Sequence, residues 1–328
     1  MKQRAFGVKG INVSEVGLGC WQLGGLCWGD VDDAKAFEIM QAAVDNGVNF
    51  LDTSDVYGSG RSEALIGKFL KDCSEDIFVA TKIGRFPEPG WPDNFERAVM
   101  VAHTDGSLKR LGVDALDLTQ IHCIPTEVME QGDVFDTLRK LKTDGKIKQF
   151  GASVESMDEA LLCLEQDGLT ALQVIFNIFR QKPIDTLFEK AKEKGVAIIA
   201  RVPLASGLLT GKLSLDTAFA ENDHRSFNKD GECFNVGETF AGLPYEKGVE
   251  LSNQLKTYVP DGMTMVQMAL RWILDHDAVS VVIPGASRPG QALGNAAISD
   301  LPPLSSELHE RLAELYRTEI TQHIRGPY

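Results

Sequence analysis

Short apolar runs alternate with longer amphipathic stretches along most of the chain. The runs have the length and nearly continuous apolar character of strands buried on both faces. There are eight of them: "VGLGCW" from Val16, "VNFLD" from Val48, "IFVAT" from Ile77, "LDLTQIH" from Leu116, "IKQFGAS" from Ile147, "ALQVIF" from Ala171, "VAIIAR" from Val196 and "VSVVIPG" from Val279. Helical spacing of apolar residues lies between them, as in "DDAKAFEIMQAAVDNG", "NFERAVMVAHTDGSLKRLG", "DVFDTLRKLKTDGK" and "PIDTLFEKAKEKG". Several of these stretches end on Lys or Gly, which favour a helix C-terminus.

This alternation predicts right-handed βαβ units and a parallel sheet. Eight strands fit a closed (β/α)8 TIM barrel, in which every strand is covered on both faces. An open doubly wound sheet is the alternative. It normally carries G-x-G-x-x-G after the first strand, whereas this chain continues "GLGCWQLGG", without the motif and without opening a helix. We therefore expect an α/β protein with a (β/α)8 TIM barrel.

Two segments depart from the alternation. The start, "RAFGVKGINVSEVG", predicts an N-terminal β-hairpin, because apolar and polar residues alternate on both sides of a Gly-containing turn. From about Leu213 to Lys247 the chain is polar and Gly-rich, which predicts a long loop after strand 7 with a functional or lid role. The 328 residues would suit one large or two ordinary domains. No Pro/Ser-rich linker divides them, so we expect a single barrel domain over residues 1–328.

Composition excludes some classes of function. The net charge of -14 argues against broad nucleic-acid binding, although a local cluster of Arg or Lys can still hold a small anion. No apolar run approaches the ~20 residues of a membrane span, and the N-terminus shows no signal-peptide pattern. The cysteines have no metal-like spacing and are expected to be reduced thiols: Cys20, Cys27, Cys73, Cys123, Cys163 and Cys233. We expect a cytoplasmic protein with no metal, membrane or nucleic-acid partner.

Polar side chains stand at three predicted strand tips. Asp52 follows "VNFL", Lys82 follows "IFVAT", and His122 ends "LDLTQIH", while Tyr57 lies just beyond Asp52 in "NFLDTSDVYGSGRSEALIG". In a barrel these tips meet at the C-terminal mouth, where active sites lie. Titratable groups against buried strands are costly unless they are paired or catalytic.

The four residue types suit proton transfer from a phenol. A free tyrosine has a pKa near 10, and a nearby ammonium such as Lys82 would lower it. Asp52 would keep Lys82 charged and in place, and His122 would orient a substrate carbonyl. Nothing in this set supplies a hydride, so a cofactor must.

Each residue also has an ordinary structural interpretation. Asp52 could be a helix cap or turn former, and Tyr57 a packed ring with its hydroxyl in water. Lys82 could be a solvated loop lysine, and His122 a satisfied core histidine. Their joint placement at adjacent strand tips favours the catalytic interpretation.

The stretches "FLDTSDVYGSGRSE", "VATKIG", "LDLTQIHC" and "IPGASRPGQALGNA" resemble the signature stretches of the aldo-keto reductase superfamily. The similarity extends over nearly the whole chain. It implies the catalytic tetrad Asp52, Tyr57, Lys82 and His122, with Tyr57 as general acid. It also implies NADPH bound across the C-terminal mouth of a barrel.

The resemblance further implies three groups of cofactor contacts. The adenosine end falls to residues where the last strand enters a helix, and Arg288 there suits a 2′-phosphate, which favours NADP over NAD; the group is Gly285, Ser287, Arg288, Gln291 and Asn295. "VPLASGLLTGK" resembles a pyrophosphate-binding loop, with Pro203, Leu204, Ser206, Gly207, Leu209 and Lys212 as candidates. "GAS" at Gly151–Ser153, together with Gln173, matches contacts to the nicotinamide carboxamide.

Two positions depart from the family pattern. Ser153 is followed by Val154 where the family often has Asn, and Arg201 stands where an aromatic usually stacks on the nicotinamide. A guanidinium can stack on a ring but would repel the oxidised, cationic nicotinamide. Our hypothesis is that Arg201, also a candidate cofactor contact, favours the reduced cofactor or reaches an anionic substrate group.

The expected function is an NADP(H)-dependent oxidoreductase that reduces an aldehyde, ketone or sugar carbonyl, or oxidises the matching alcohol. Loop aromatics are the candidate substrate contacts: Trp21, Trp28, Phe86 and Trp91. One alternative is an NADPH-binding regulatory or sensing protein with little turnover. A second is a lyase or isomerase that uses the nicotinamide transiently. The sequence does not indicate the physiological substrate, the direction or the oligomeric state.

Overall fold

The computed structural model describes residues 1–7, 10–25, 28 and 31–328. Within these residues the strands are β1 (Gln3–Ala5), β2 (Asn12–Ser14), β3 (Leu18–Gly19), β4 (Phe50–Asp52), β5 (Phe78–Ile83), β6 (Leu116–His122), β7 (Ile147–Ser153), β8 (Leu169–Ile175), β9 (Ala197–Arg201) and β10 (Val279–Val282). Strands β3 to β10 correspond to the eight predicted apolar runs. They form a parallel sheet in sequence order.

The first and last strands of this sheet also meet. Parallel bridges join Val16 to Val282 and Gly19 to Gly285, and the amide of Gly17 donates to the Val282 carbonyl at 2.8 Å. The contact turns the sheet back on itself, so the prediction of a (β/α)8 barrel is confirmed.

Helices follow the strands on the outside, as right-handed βαβ connections require. They are α1 (Asp33–Val44), α2 (Arg61–Asp72), α3 (Arg97–Leu111), α4 (Thr126–Gln131), α5 (Asp133–Thr143), α6 (Met157–Leu164), α7 (Pro183–Thr186), α8 (Phe188–Lys194), α9 (His224–Phe227), α10 (Tyr245–Leu255), α11 (Met265–Leu274), α12 (Pro289–Ala296) and α13 (Ser306–Leu315). The predicted stretch 183–195 forms two short helices, α7 and α8, rather than one. None of the helices in the described part of the chain is long and apolar enough to cross a membrane.

The predicted hairpin is confirmed, with β1 and β2 antiparallel; its turn residues Val8 and Lys9 lie outside the described residues. Phe6, which precedes the turn, is fully buried and packs on Phe50 and Phe78 with ring centroids 5.4 and 5.0 Å apart. These rings belong to an apolar cluster contributed by strands β4 to β6 and β8 to β10. The hairpin therefore closes one end of the barrel interior, and polar side chains are left for the other end.

The long loop follows β9, as expected. Residues 202–244 contain only short helical turns, among them α9 and the 3₁₀ turn Val236–Glu238, before α10 begins at Tyr245. The loop thus ends before Tyr245, slightly earlier than the predicted end at Lys247. The five described cysteines have free thiols, consistent with the expectation of reduced cysteines, and Cys27 lies outside the described residues.

Candidate active site

The strand tips bring the four predicted catalytic residues together. Asp52 ends β4, Lys82 lies in β5, His122 ends β6, and Tyr57 lies in the turn after β4. Lys82 Nζ donates to Asp52 Oδ2 at 2.7 Å and lies 3.2 Å from Tyr57 Oη. The Lys82 side chain is only 1% exposed, so an unpaired ammonium there would be very costly. The ammonium also donates to the Thr53 carbonyl at 2.8 Å, and Asp52, Tyr57 and this carbonyl are the partners that make the buried charge tolerable.

The electrostatics of this group keep Lys82 charged and Tyr57 protonated. Burial opposes the charge of Lys82, but Asp52 and Tyr57 together raise its pKa above the ordinary value. Burial raises the pKa of Tyr57 to about 12, although Lys82 acts in the lowering direction. The sequence analysis expects the lysine to prevail, whereas in the structure burial prevails. Tyr57 therefore holds its proton at neutral pH, as a general acid must.

His122 completes the cluster from the next strand. Its ring meets that of Tyr57 edge-on at a centroid distance of 5.8 Å, and its Nδ1 lies 3.1 Å from Ser54 Oγ. Burial, assisted by the positive charges of Lys82 and two arginines, holds the pKa of His122 well below its usual range. The imidazole is neutral, and Nε2 is the ring nitrogen left for a ligand.

Two cavities open beside the cluster. The larger, which we call the substrate cavity, has a volume of about 870 Å³ and is lined by Tyr57, His122 and three of the predicted aromatics, Trp21, Phe86 and Trp91. Sequence reasoning missed Phe234 from the long loop and the pair Arg85 and Glu155, whose charged atoms are 3.3 Å apart. Arg85 and Glu155 follow β5 and β7 closely, so the rule that strand tips line the site could have found them.

The smaller cavity, which we call the cofactor cleft, has a volume of about 290 Å³. It contains several of the predicted cofactor contacts: Gln173, Arg201, Pro203, Leu204, Ser206, Gly207, Gly285, Ser287 and Gln291. Among the described residues, five lie in the walls of both cavities and form their common wall: Trp21, Tyr57, Gln173, Arg201 and Glu238. A ligand in either cavity is thus adjacent to Tyr57.

Other predicted contacts lie apart from the cleft wall. Leu209 is fully buried in the apolar core, and Lys212 is exposed beyond the cleft. Arg288 stands at the N-terminus of α12 as expected, and Asn295 contacts the Gly285 carbonyl at 3.4 Å. Ser153 lines the substrate cavity and lies 3.5 Å from Gln173.

Trp28, predicted as a substrate contact, lies in the wall of the cofactor cleft. It packs edge-on against Trp21 at 5.6 Å and tilted against His224 at 4.5 Å. Trp21 in turn stacks on Tyr57 at 5.9 Å. The aromatics of the loop after β3 therefore pack against the long loop beside Tyr57.

The cleft has the features of a site for a polar ligand. Within the described residues, three buried polar atoms of its wall have no hydrogen-bond partner: Gln22 Oε1, Trp28 Nε1 and Arg201 Nε. Buried polar atoms are normally paired, so unpaired ones in a cavity wall suit a polar ligand. Val202, Ala205 and Ser206 also have positive φ angles of 53°, 47° and 53°, a strained backbone that clusters at ligand sites. These residues fit the nicotinamide dinucleotide that the sequence analysis expected.

Arg201 is held by its surroundings. It forms an ion pair with Glu238 of the long loop, donates to the Val154 carbonyl at 2.8 Å and contacts Cys123 Sγ at 3.6 Å. Burial opposes its charge, but Glu238 raises the pKa of the guanidinium. The positive charge expected from the sequence is therefore balanced by a carboxylate that the sequence analysis did not assign.

Comparisons with known proteins agree with this geometry. Residues 15–317 match the model of the Aldo/keto reductase family. The chain is 30% identical over 291 residues to the aldo-keto reductase YhdN of Bacillus subtilis. The aligned region is 86% of this chain and 84% of the relative. It is also 29% identical over 312 residues to the uncharacterized oxidoreductase YqkF of the same organism, with 94% of each chain covered.

Solved structures show the same architecture. The holo form of aldo-keto reductase AKR11C1 from Bacillus halodurans has a TM-score of 0.79 at 27% identity and covers 99% of this chain and 100% of its own. The glycerol dehydrogenase AKR11B4 from Gluconobacter oxydans has a TM-score of 0.78 at 27% identity. The match covers 99% of this chain and 97% of the relative. With the sequence matched over most of its length and the barrel matched throughout, the chain belongs to the aldo/keto reductase family of oxidoreductases.

Proposed function

We propose that the protein is an NADP(H)-dependent oxidoreductase that reduces an aldehyde, ketone or sugar carbonyl and protonates the product from Tyr57. The observation that carries the proposal is the chain Asp52–Lys82–Tyr57, with contacts of 2.7 and 3.2 Å, ending in the wall common to both cavities. A proton donor at that wall is adjacent to a cofactor in one cavity and a carbonyl compound in the other. The reverse reaction, oxidation of the matching alcohol, would use the same groups.

The nicotinamide, when bound, supplies or accepts the hydride. The protein's own residues donate the proton and polarise the carbonyl group. Tyr57 holds a proton beside the cavity, and Lys82 stabilises the phenolate left after its transfer. Asp52 keeps Lys82 charged, and the neutral His122 donates a hydrogen bond from Nε2–H to the carbonyl oxygen.

The cofactor assignment rests on residues around the cleft. A helix N-terminus favours phosphate, and α12 begins directly after Arg288, whose guanidinium fork matches a 2′-phosphate. The Bacillus halodurans relative is described as a holo form, which supports a bound cofactor in this chain. We therefore propose NADP(H) rather than NAD(H).

The substrate assignment remains broad. The cavity combines aromatic walls with the charged pair Arg85 and Glu155, 3.3 Å apart, a mixture that suits hydroxylated carbonyl compounds as well as apolar ones. The name of the Gluconobacter oxydans relative, a glycerol dehydrogenase, supports polyols and their carbonyl forms as test compounds.

The test follows NADPH oxidation against a panel of aldehydes, ketones and sugars, with NADP+ reduction against polyols in parallel. The Tyr57→Phe variant is measured beside the wild type, together with its NADPH affinity. Substrate-dependent turnover that collapses in Tyr57→Phe while NADPH still binds would support both the reaction and the acid. Tight NADPH binding without turnover would favour the regulatory alternative, and product formation without net NADPH change would favour a lyase or isomerase.

A further inference from the structure

A buried line of polar groups lies behind His122, outside the four tetrad residues. Ser54 Oγ is 3.1 Å from His122 Nδ1 and 3.2 Å from Asp55 Oδ1. Ser54 and Asp55 are both completely buried. The hydroxyl also has longer contacts, of 3.4 Å each, with the Lys82 carbonyl and the Val56 amide. The line thus runs from the interior to a ring that lines the substrate cavity.

The Ser54 hydroxyl has one proton, so it can donate to only one of its two side-chain neighbours at a time. An ionised Asp55 only accepts. Ser54 would then donate to Asp55, and His122 Nδ1 would carry the ring proton and donate to Ser54 Oγ. A protonated Asp55 donates to Ser54 Oγ instead, Ser54 donates to His122 Nδ1, and the ring proton stands on Nε2. Since His122 is neutral, it has one ring proton in both arrangements.

We propose that Asp55 is a positioning residue that determines, through Ser54, which ring nitrogen of His122 carries the proton. With Asp55 protonated, His122 Nε2–H donates to a carbonyl oxygen, which suits reduction. With Asp55 ionised, His122 Nε2 presents a lone pair and accepts from an alcohol hydroxyl, which suits oxidation. The two states differ by the one proton of Asp55, which is exchanged with solvent. The roles in reduction and oxidation rest on the proposed function, whereas the tautomer itself does not.

The surroundings of Asp55 allow both states near neutral pH. Its Oδ2 is buried without a partner among the residues with described positions. Burial, followed by the charge of Glu63 on α2, raises the pKa of Asp55 to about 7, against the opposing effects of Ser54, Arg110 and the Val56 amide. Glu63 is itself paired with Arg110 of α3 at 2.7 Å.

Two further elements pack against this line. From β5, the Lys82 carbonyl accepts a hydrogen bond from the Asp55 amide at 3.2 Å, while the Lys82 ammonium is directed to Asp52, the Thr53 carbonyl and Tyr57. From β6, His122 contributes the Nδ1 atom that contacts the Ser54 hydroxyl at 3.1 Å. The charges that face His122 are Lys82, Arg85 and Arg201, all positive, and together with burial they favour the neutral ring.

The test measures the His122 tautomer in the ligand-free protein by ¹⁵N NMR of labelled histidine, with His122→Gln used only to assign the signal. In the wild type the ratio of Nε2–H to Nδ1–H is expected to fall by roughly tenfold per pH unit around a midpoint near pH 7, where Asp55 loses its proton. Asp55→Asn has no titrating group beside Ser54, so the ratio of the two His122 tautomers is expected to be the same at every pH. Ser54→Ala removes the connection and is expected to abolish the pH dependence.

A pH-independent tautomer in the wild type would overturn the inference, as would a transition that persists in Asp55→Asn or Ser54→Ala. The matched control is Asp72→Asn, an exposed carboxylate at the end of α2, which should leave the wild-type transition unchanged. If the protein turns over a carbonyl compound, reductive kcat should fall above the same midpoint in the wild type and remain flat in Asp55→Asn. Absence of turnover with an intact tautomer transition would refute the proposed function and leave this inference standing.

Discussion

Arg201 donates a 2.8 Å hydrogen bond to the carbonyl oxygen of Val154. These are the two positions at which the sequence departs from the pattern of its family, and they lie on neighbouring segments of the site. The same guanidinium is ion-paired with Glu238. The two departures are therefore one local arrangement, in which an arginine replaces an aromatic ring and is held by the backbone after β7 and by the long loop.

Removal of the Glu238 carboxylate should expose the charge of Arg201. In Glu238→Gln we expect NADP+ affinity to fall relative to NADPH affinity, because an unbalanced guanidinium repels the cationic oxidised ring. Loss of one partner of a buried pair also costs about 3–5 kcal/mol of stability. Calorimetric titration with each cofactor, combined with urea unfolding, checks both effects.

The control for this variant is Glu232→Gln, which removes an exposed carboxylate from the same loop. It should change neither the NADP+ to NADPH affinity ratio nor the free energy of unfolding. An unaltered NADP+ to NADPH affinity ratio in Glu238→Gln would contradict the electrostatic role assigned to the pair.

Tyr57→Phe should abolish most turnover without loss of cofactor. General acid catalysis contributes on the order of 10²–10⁴-fold, so we expect kcat to fall by that factor with little change in NADPH affinity. The Lys82–Asp52 contact of 2.7 Å remains in this variant, so the fold should survive. Steady-state kinetics and cofactor titration measure the two effects, and a variant that retains wild-type kcat would remove Tyr57 from the proposed chemistry.

Arg288 should distinguish the two nicotinamide cofactors. In Arg288→Ala we expect roughly 10- to 100-fold weaker NADPH binding and unchanged NADH binding, because a charged hydrogen bond to phosphate contributes about 1.5–3 kcal/mol. Lys212→Ala is the comparison, since Lys212 is exposed beyond the cleft wall and should matter less. Equal losses for NADPH and NADH in Arg288→Ala would argue against a 2′-phosphate contact.

The raised pKa of Asp55 should also appear in the pH dependence of stability. The folded protein keeps this proton up to about pH 7, whereas the unfolded chain releases it near the ordinary value of 3.8. The folded state thus binds more protons between these values, so stability falls as pH rises through this window. The full effect is at most about 4 kcal/mol.

Asp55→Asn removes the titrating group and should lose that part of the pH dependence. We expect its stability relative to wild type to increase from pH 4 to pH 7 and then to level off. Urea unfolding of both proteins at several pH values measures the difference. A stability difference that does not change with pH would mean that Asp55 is ionised throughout in the folded protein.

Two helical glycines should respond in opposite ways to alanine. A Cβ at Gly67 of α2 would lie 2.2 Å from the Arg110 carbonyl and 2.8 Å from that of Leu111, so Gly67→Ala should cost about 1–3 kcal/mol through overpacking. At Gly294 of α12 no described atom lies within 4 Å, and alanine should gain up to about 1 kcal/mol from helix propensity. Thermal unfolding measures the stability of both variants. Equal stability of the two would show that α2 and α3 can move apart at Gly67 without destabilising the protein.

The barrel and the tetrad follow from local sequence features. Each barrel strand is a bounded apolar run, and the carboxyl ends of parallel strands meet at one face. Asp52 and His122 could therefore be placed together although 70 residues separate them along the chain. The wider resemblance to a family supplied the cofactor residues.

The remaining features depend on side-chain packing that no local pattern encodes. Glu238 lies in a polar loop without periodicity, so its pairing with Arg201 leaves no signal in the sequence. Ser54 has the character of an ordinary turn residue until the fold brings it within 3.1 Å of His122. The sequence around Trp28 does not reveal which of the two cavities the ring lines.

The common wall of the two cavities has an evolutionary consequence. Substitutions at Phe86, Trp91 or Phe234 reshape the substrate cavity from its outer side and leave the cofactor cleft intact. A change at Trp21, Gln173 or Arg201 alters both cavities at once. New substrate preferences should therefore arise mainly by substitutions in the outer loops. The shared residues have to fit both the cofactor and the substrate, so they should change more slowly.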